Sequence, residues 1–295
     1  MGKRIISKEL IERYCIYLQE CEKSGGTIRK YRHYLEFFQE FLYGRSVGKN
    51  LVVQWKDGLK RCLSTSTVNG AIAALNGFFR YLGWKDCVTR FFKTGRRIFC
   101  LEERELDRQE YERLVIEAER SGDDRMAALL QTIAVTGIRV SELQYITVEA
   151  VRSGGAELDN KGRIRRIFLT GGLRELLKKY MARHEITSGA LFITRNGRPM
   201  DRSNIWRAMK RLGIRCGVSE SKVFPHNLRH LFARTYYDQE KDLSRLADIL
   251  GHSSVNTTRI YTMESGKKHA KQLERLNLLI TDNRIYLPLY PLPSD

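Results

Sequence analysis

Tyr261 stands near the end of LGHSSVNTTRIYT (250–262), a polar, turn-rich stretch that also carries His252. A core tyrosine normally has apolar neighbours, so Ser, Thr and Asn here predict a side chain outside a core, within reach of a substrate. Tyrosine can act as a covalent nucleophile. Attack on phosphorus also needs positive charge at the equatorial oxygens and an acid for the leaving group.

Three other segments hold residues of those types. In TGIRVSEL (136–143), Arg139 and Glu142 are three apart and share a helix face. An arginine there can hold a phosphate by two parallel hydrogen bonds, although such a spacing also suits a surface ion pair. In LDNKGRIRRIFL (158–169), Lys161 falls in the turn of an expected hairpin. It is either an ordinary solvated lysine or an ammonium pushed into a DNA groove, where it could protonate a leaving oxygen. Arg163, Arg165 and Arg166 would lower its pKa. In PHNLRHLFA (225–233), His226 and Arg229 are three apart and His230 is four from His226. Histidines at i,i+4 can share zinc. The glutamate of H-E-x-x-H is missing, however, and no nearby Asp or Cys completes a ligand set, so no metal is expected. Two arginines, two histidines, a lysine and a tyrosine would suffice for metal-free phosphoryl transfer.

The elements around these residues fall into two blocks. Up to about residue 95 the chain reads as helices only. One covers 4–20, with Ile6, Leu10, Ile11, Tyr14 and Leu18 near one face. A second opens at Thr27 after SGGT and stops at Gly44, a third covers about 50–62, and a fourth follows with Ser64 or Ser66 as N-cap. Arg29, Lys30, Arg32 and His33 interleave with Tyr31 and Tyr34, which suits either a solvated helix face or one laid on a phosphate backbone. Residues 96–106 read as a linker, and Asp107 with Glu110 forms a capping-box pattern that opens the second block. Helical periodicity runs to about Ile146. Short β-branched runs split by Gly, Asn and Asp then predict strands and a hairpin, and helices return from Gly172 to about residue 280. The expected division is 1–95 helical domain, 96–106 linker, 107–281 second domain, and 282–295 an extended tail that holds Pro288, Pro291 and Pro293.

The chain has 295 residues, enough for two domains, and 52 Lys plus Arg against 34 Asp plus Glu, a net charge of +18. That excess favours a polyanionic partner, because phosphate neutralisation supplies most sequence-independent affinity for nucleic acid. The charge is spread along the chain rather than gathered on an amphipathic helix, which disfavours a membrane surface. No run approaches the roughly eighteen apolar residues a membrane-crossing helix needs, and the N-terminus has no signal-peptide core. Cys15, Cys21, Cys62, Cys87, Cys100 and Cys216 are scattered, as expected of reduced thiols in a cytoplasmic protein.

TGIRVSEL, HNLRHLFA and LGHSSVNTTRIYT together resemble the signature boxes of tyrosine recombinases, particularly the Xer-like integrases of bacteria and mobile elements. The resemblance covers 107 to about 280, and the first block is similar to their helical core-binding, SAM-like domain. It implies a mainly α fold with a small antiparallel sheet in the second domain (α+β), an all-α first domain, and a C-shaped clamp on DNA. Arg139 and Arg229 would hold the scissile phosphate. His226 and His252 would hydrogen-bond it and take part in proton transfer, Lys161 would protonate the 5′ oxygen, and Tyr261 would form a 3′-phosphotyrosyl link. Glu142 and His230 would support these groups, while Arg29, Lys30, Arg32, Arg163 and Arg165 would contact DNA. Neither metal nor cofactor is implied. The implied partners are double-stranded DNA with a specific site and three further copies of the chain. The tetramer would exchange strands through a Holliday junction, with helix 264–280 docked in trans by Leu273, Leu276, Leu279 and Ile280. A DNA-associated, nucleoid-bound cytoplasmic location follows.

Other readings are a type IB topoisomerase, a DNA-binding relative that has lost catalysis, and an RNA-binding helical protein. The last explains the charge but not the ordered motifs. With a helical block starting almost at residue 1, the larger layout with an arm-binding domain ahead of it is not expected. Tyr236 and Tyr237 are rival nucleophiles by type, but their place on the helix after HNLRH suits packing.

Overall fold

In the computed structural model, residues 3–94, 104–159, 164–252, 254–262 and 273–276 are described. The chain divides into two compact units, residues 1–97 and 98–295, each with its own core.

The first unit is all helical. Helix α1 (Lys8–Glu20) begins one turn later than its apolar periodicity, because the Ser7 hydroxyl accepts from Leu10 N–H and sets the start. Helix α2 (Gly25–Leu42) starts inside the Gly pair that was expected to break the chain: Ser24 accepts from Thr27 N–H and caps it. Helix α3 (Lys49–Cys62) and helix α4 (Thr65–Tyr81) follow, and Ser64, not Ser66, caps α4. Phe38, Trp55, Phe78 and Phe79 pack at its centre. Buried Asn76 is satisfied by both polar groups of the Thr89 backbone, which ties the chain leaving α4 back onto it.

The second unit opens with helix α5 (Arg108–Arg120), where Asp107 and Glu110 make the expected capping box. Helix α6 (Asp124–Thr136) ends at Gly137, whose φ of +62° is a left-handed C-cap. The expected periodicity to Ile146 is therefore interrupted: residues Val140–Tyr145 form a tight 3₁₀ turn. Val148–Ser153, expected as strand chemistry, is a short helix, α7, capped by Thr147. Strands β1 (Gly155–Asp159) and β2 (Ile164–Phe168) pair antiparallel, with Gly155 opposite Phe168 and Asp159 opposite Ile164. Lys161 and Arg163 fall between these strands in sequence and lie outside the described residues.

Helix α8 (Gly171–Arg183), helix α9 (Arg202–Arg215) and helix α10 (Pro225–Glu240) follow. Between α8 and α9, ALFITRNGRP (190–199), read from sequence as a break in the helices, carries isolated bridges, Thr147 to Ala190 and Ile193 to Pro199. Pro225 suits the first turn of α10, where its missing N–H costs nothing. Helix α11 (Leu243–Leu250), helix α12 (Val255–Thr258) and a 3₁₀ turn over Arg259–Thr262 complete the described order. Of the segment expected to be helical over 264–280 only 273–276 is described, with Leu273 and Leu276 exposed. The tail 282–295 lies outside the described residues. Among those described, no helix is long and apolar enough to cross a membrane.

Candidate active site

The carbonyl ends of two helices organise the cluster. Helix α6 stops at Gly137 and helix α11 at Gly251, each in a left-handed cap that leaves main-chain oxygens free. Three guanidinium groups occupy them. Arg229, on α10, donates from Nη1 to Gly137 O at 2.5 Å and from Nη2 to Leu250 O at 2.7 Å. Arg165, on β2, donates to the same Leu250 oxygen at 2.6 Å. Arg139 donates to Gly251 O at 3.3 Å. Cations at helix C-termini meet the negative end of the macrodipole, which offsets part of the cost of removing them from water.

Arg229 is 1% exposed. Burial first, then the charge of Arg139, pushes its pKa down to about 10, so it stays charged at neutral pH. Arg139 is not on a regular helix face, as the spacing suggested, but is the extended N-cap of the 3₁₀ turn. Its guanidinium and its backbone N–H both donate to Glu142, each at 2.8 Å. The same carboxylate pairs with Arg165 at 3.3 Å. Glu142 thus braces two arginines while Arg139 keeps a third of its side chain open. Arg165, expected on the DNA surface, is instead inside the site wall, its side chain 10% exposed. The sequence placed it outside because strand alternation alone cannot show that α11 ends against that face of β2.

His252 follows the cap of α11. Its Nε2 lies 3.0 Å from Arg229 Nη2 and its Nδ1 2.8 Å from Thr258 Oγ1. A guanidinium only donates, so Nε2 must present its lone pair and the ring proton belongs on Nδ1, donated to Thr258. Burial, then Arg229, Arg139 and Arg165, lowers the His252 pKa to about 4, in keeping with a neutral ring. His226 faces the cleft and is exposed, yet desolvation by surrounding protein, followed by His230, Arg229 and Arg202, lowers its pKa to about 4 as well. That ring is therefore neutral at pH 7.

Tyr261 corrects the expectation that it lies outside a core. It is 5% exposed, packed with Ala233, Leu246 and Leu250 from α10 and α11. Its ring stacks on His252 (5.6 Å between centroids, 11° between planes) and meets His230 edge to face (4.6 Å, 90°). Its apolar neighbours come from other helices, so the polar residues beside it in sequence gave no sign of them. Tyr236 and Tyr237 pack against the same cluster. His226 and His230 also meet edge to face, at 4.6 Å, with His230 Nδ1 engaged by Glu105 at 3.2 Å.

An open cleft in front of these groups is lined by Arg139, His226 and Arg229, and also by Gln144, Arg202 and Trp206. Sequence reasoning missed the last three, together with Glu105 and Thr258. Of these, Thr258 had a local signal, six residues after His252 within one polar turn. In the first unit, Arg29 and Lys30 are exposed on α2, with Lys30 over the Tyr34 ring, while Arg32 makes a two-pronged salt bridge with Glu12.

The phage integrase family model matches residues 104–268, and the model of the phage integrase N-terminal SAM-like domain matches 11–86. Tyrosine recombinase XerA of Pyrococcus furiosus is 29% identical over 287 residues, covering 95% of this chain and 98% of its own. Tyrosine recombinase XerC of Herpetosiphon aurantiacus is 30% identical, covering 90% and 93%. In fold, the chain is similar to a lambda integrase tetramer bound to a Holliday junction, with a TM-score of 0.70 at 19% identity over 86% of this chain and 76% of that one.

Proposed function

The chain belongs to the phage integrase family and is a tyrosine-type site-specific DNA recombinase; we propose that Tyr261 is its nucleophile and that the arginine–histidine cluster around it receives the scissile phosphate. The observation that carries this reading is the convergence of Arg139, His226 and Arg229 on one cleft, with His252 against Arg229 and the Tyr261 ring held against His252.

Arg139 and Arg229 neutralise the phosphate oxygens. Tyr261 Oη attacks phosphorus, the P–O5′ bond breaks, and a 3′-phosphotyrosyl bond forms. The phenol proton passes to the neutral His226 imidazole, His252 holds Arg229 and the Tyr261 ring, and Lys161 protonates the departing 5′ oxygen. Attack by a 5′ hydroxyl of the partner strand reverses these steps. The phosphotyrosyl link preserves the bond energy, so rejoining requires neither ATP nor a metal ion. Residues 1–95 act as a core-binding domain through Arg29, Lys30 and Arg32, residues 96–106 link it to the catalytic domain 107–281, and Arg163 contributes to DNA binding by its charge. Four copies on two sites exchange strands through a Holliday junction, the assembly seen for lambda integrase, and the enzyme works wherever its DNA lies, on the nucleoid in the cytoplasm. Topoisomerase-like relaxation and an idle DNA-binding role are not favoured, since the similar full-length proteins are named recombinases.

The test is a nicked suicide substrate drawn from DNA flanking the gene, incubated with EDTA. The expected result is a slow-migrating covalent adduct on a denaturing gel with the native chain and none with Tyr261→Phe. An adduct with both proteins would remove Tyr261 from the role.

A further inference from the structure

The segment that enters the second unit is fastened to one stripe of α10. Asn227 Nδ2 donates to Arg104 O at 2.7 Å, His230 Nδ1 meets Glu105 Oε1 at 3.2 Å, and Arg234 Nη2 donates to Leu106 O at 2.6 Å. The three α10 residues follow i, i+3, i+7, one face of a helix. His226 and Arg229 sit on the same helix, so these contacts hold the element that carries two phosphate-binding groups.

Glu105 does more than tether. Its carboxylate is 15% exposed, with Oε2 at 3.6 Å from Arg234 Nη2, too long for a hydrogen bond but within ion-pair range. Burial raises its pKa, but the hydrogen bond from His230, with the Arg234 guanidinium beside it, outweighs burial and holds it below the usual range. An ionised carboxylate only accepts, so His230 must carry a proton on Nδ1. That fixes which way the ring faces, and the same ring meets Tyr261 at 90° and His226 at 68°.

We infer that Glu105 is a positioning residue for the transfer reaction: by accepting from His230 Nδ1 it sets that ring's tautomer and orientation, and the ring in turn holds Tyr261 and His226 for attack. The inference rests on the recombinase reading for its effect on rate, but not for its effect on His230. Nothing in the sequence around Glu105 marks it, since it belongs to the charged run LEERELD and meets His230 only across 125 positions of chain.

The experiment compares the native chain with Glu105→Ala and Glu105→Gln, read in two ways. With ¹⁵N-labelled histidine, only six histidines contribute, and His230 is assigned by its loss in His230→Gln. Native protein and Glu105→Gln, whose amide oxygen can still accept, should show the Nδ1–H form, and Glu105→Ala should lose it. On the suicide substrate, Glu105→Ala should form adduct about tenfold more slowly, the equivalent of one lost hydrogen bond to a charged group. DNA affinity should be unchanged, and Glu105→Gln should recover most of the rate. If Glu105→Ala does not fold, Glu105→Met fills the volume without an acceptor and takes its place. An unchanged His230 spectrum, or a native adduct rate in the variant without an acceptor, overturns the inference. Absence of adduct from the native chain would count against the recombinase reading instead, and the nitrogen spectrum alone would then decide Glu105.

Discussion

At the residue scale the site works by taking charge out of water and supplying partners for it. Arg229 is a buried cation whose acceptor oxygens come from two helix ends, so its loss would take a donor from Gly137 O and from Leu250 O, the latter keeping Arg165. Thr258 is fully buried and accepts the His252 Nδ1 proton. Thr258→Val keeps the shape and removes the acceptor. It should cost about 1–3 kcal/mol in urea unfolding, the penalty for an unsatisfied buried donor, and slow adduct formation as the His252 ring loses one of its two anchors. Stability with pH follows from the two lowered histidines. Their folded pKa values of about 4 lie below the ordinary 6.5, so between these pH values the unfolded chain binds more protons. Their contribution is present above pH 6.5 and is lost as pH falls from 6.5 towards 4. Urea midpoints measured over that window should fall on acidification, and His252→Gln should flatten the slope.

At the element scale, helix ends decide where the cations sit. A methyl group on Gly137 would come within 2.4 Å of Phe232 Cδ1 and would occupy a left-handed conformation. Gly137→Ala should therefore cost about 1–3 kcal/mol of stability in denaturant unfolding, with a larger loss of cleavage because Gly137 O carries Arg229. Leu250 links the last turn of α11 to the Tyr261 cluster. Leu250→Ala should destabilise by about 2–5 kcal/mol and loosen Tyr261, which protease sensitivity at the C-terminal side would register. Lys161, between β1 and β2 in sequence, has its own test. Lys161→Ala should slow cleavage of ordinary DNA and be rescued by a 5′-bridging phosphorothiolate, whose sulfur leaves without a proton; lack of rescue would take the acid role from Lys161.

At the scale of the whole molecule, the charge of +18 and the family membership act together. Non-specific affinity should fall steeply with salt, by a logarithmic slope of about −0.9 for each phosphate neutralised. Arg29→Ala and Lys30→Ala should each flatten that slope, while Arg32→Ala, whose guanidinium is engaged by Glu12, should change it less. Filter binding across a salt series measures all three. On DNA with two target sites, a four-stranded intermediate should appear on native gels only with catalytically competent protein.

The sequence by itself determined the chemistry and the class of fold. Arg139, His226, Arg229, His252 and Tyr261 stood out because their types and order suit one reaction and match a known set of motifs, and the structure brings them together. The helices were legible because apolar period and Ser or Asp caps are local signals. Where those signals compete, the sequence misled: Gly137 ends a helix whose apolar pattern continues, and Thr147 caps a helix inside a β-branched run. Only the tertiary structure decided the surroundings of the reacting groups. Burial of Tyr261 comes from α10 and α11, inward placement of Arg165 from the end of α11, and the tautomer of His252 from Thr258 and Arg229 together. Each depends on groups from separate elements meeting at one point, which neither residue type nor spacing encodes.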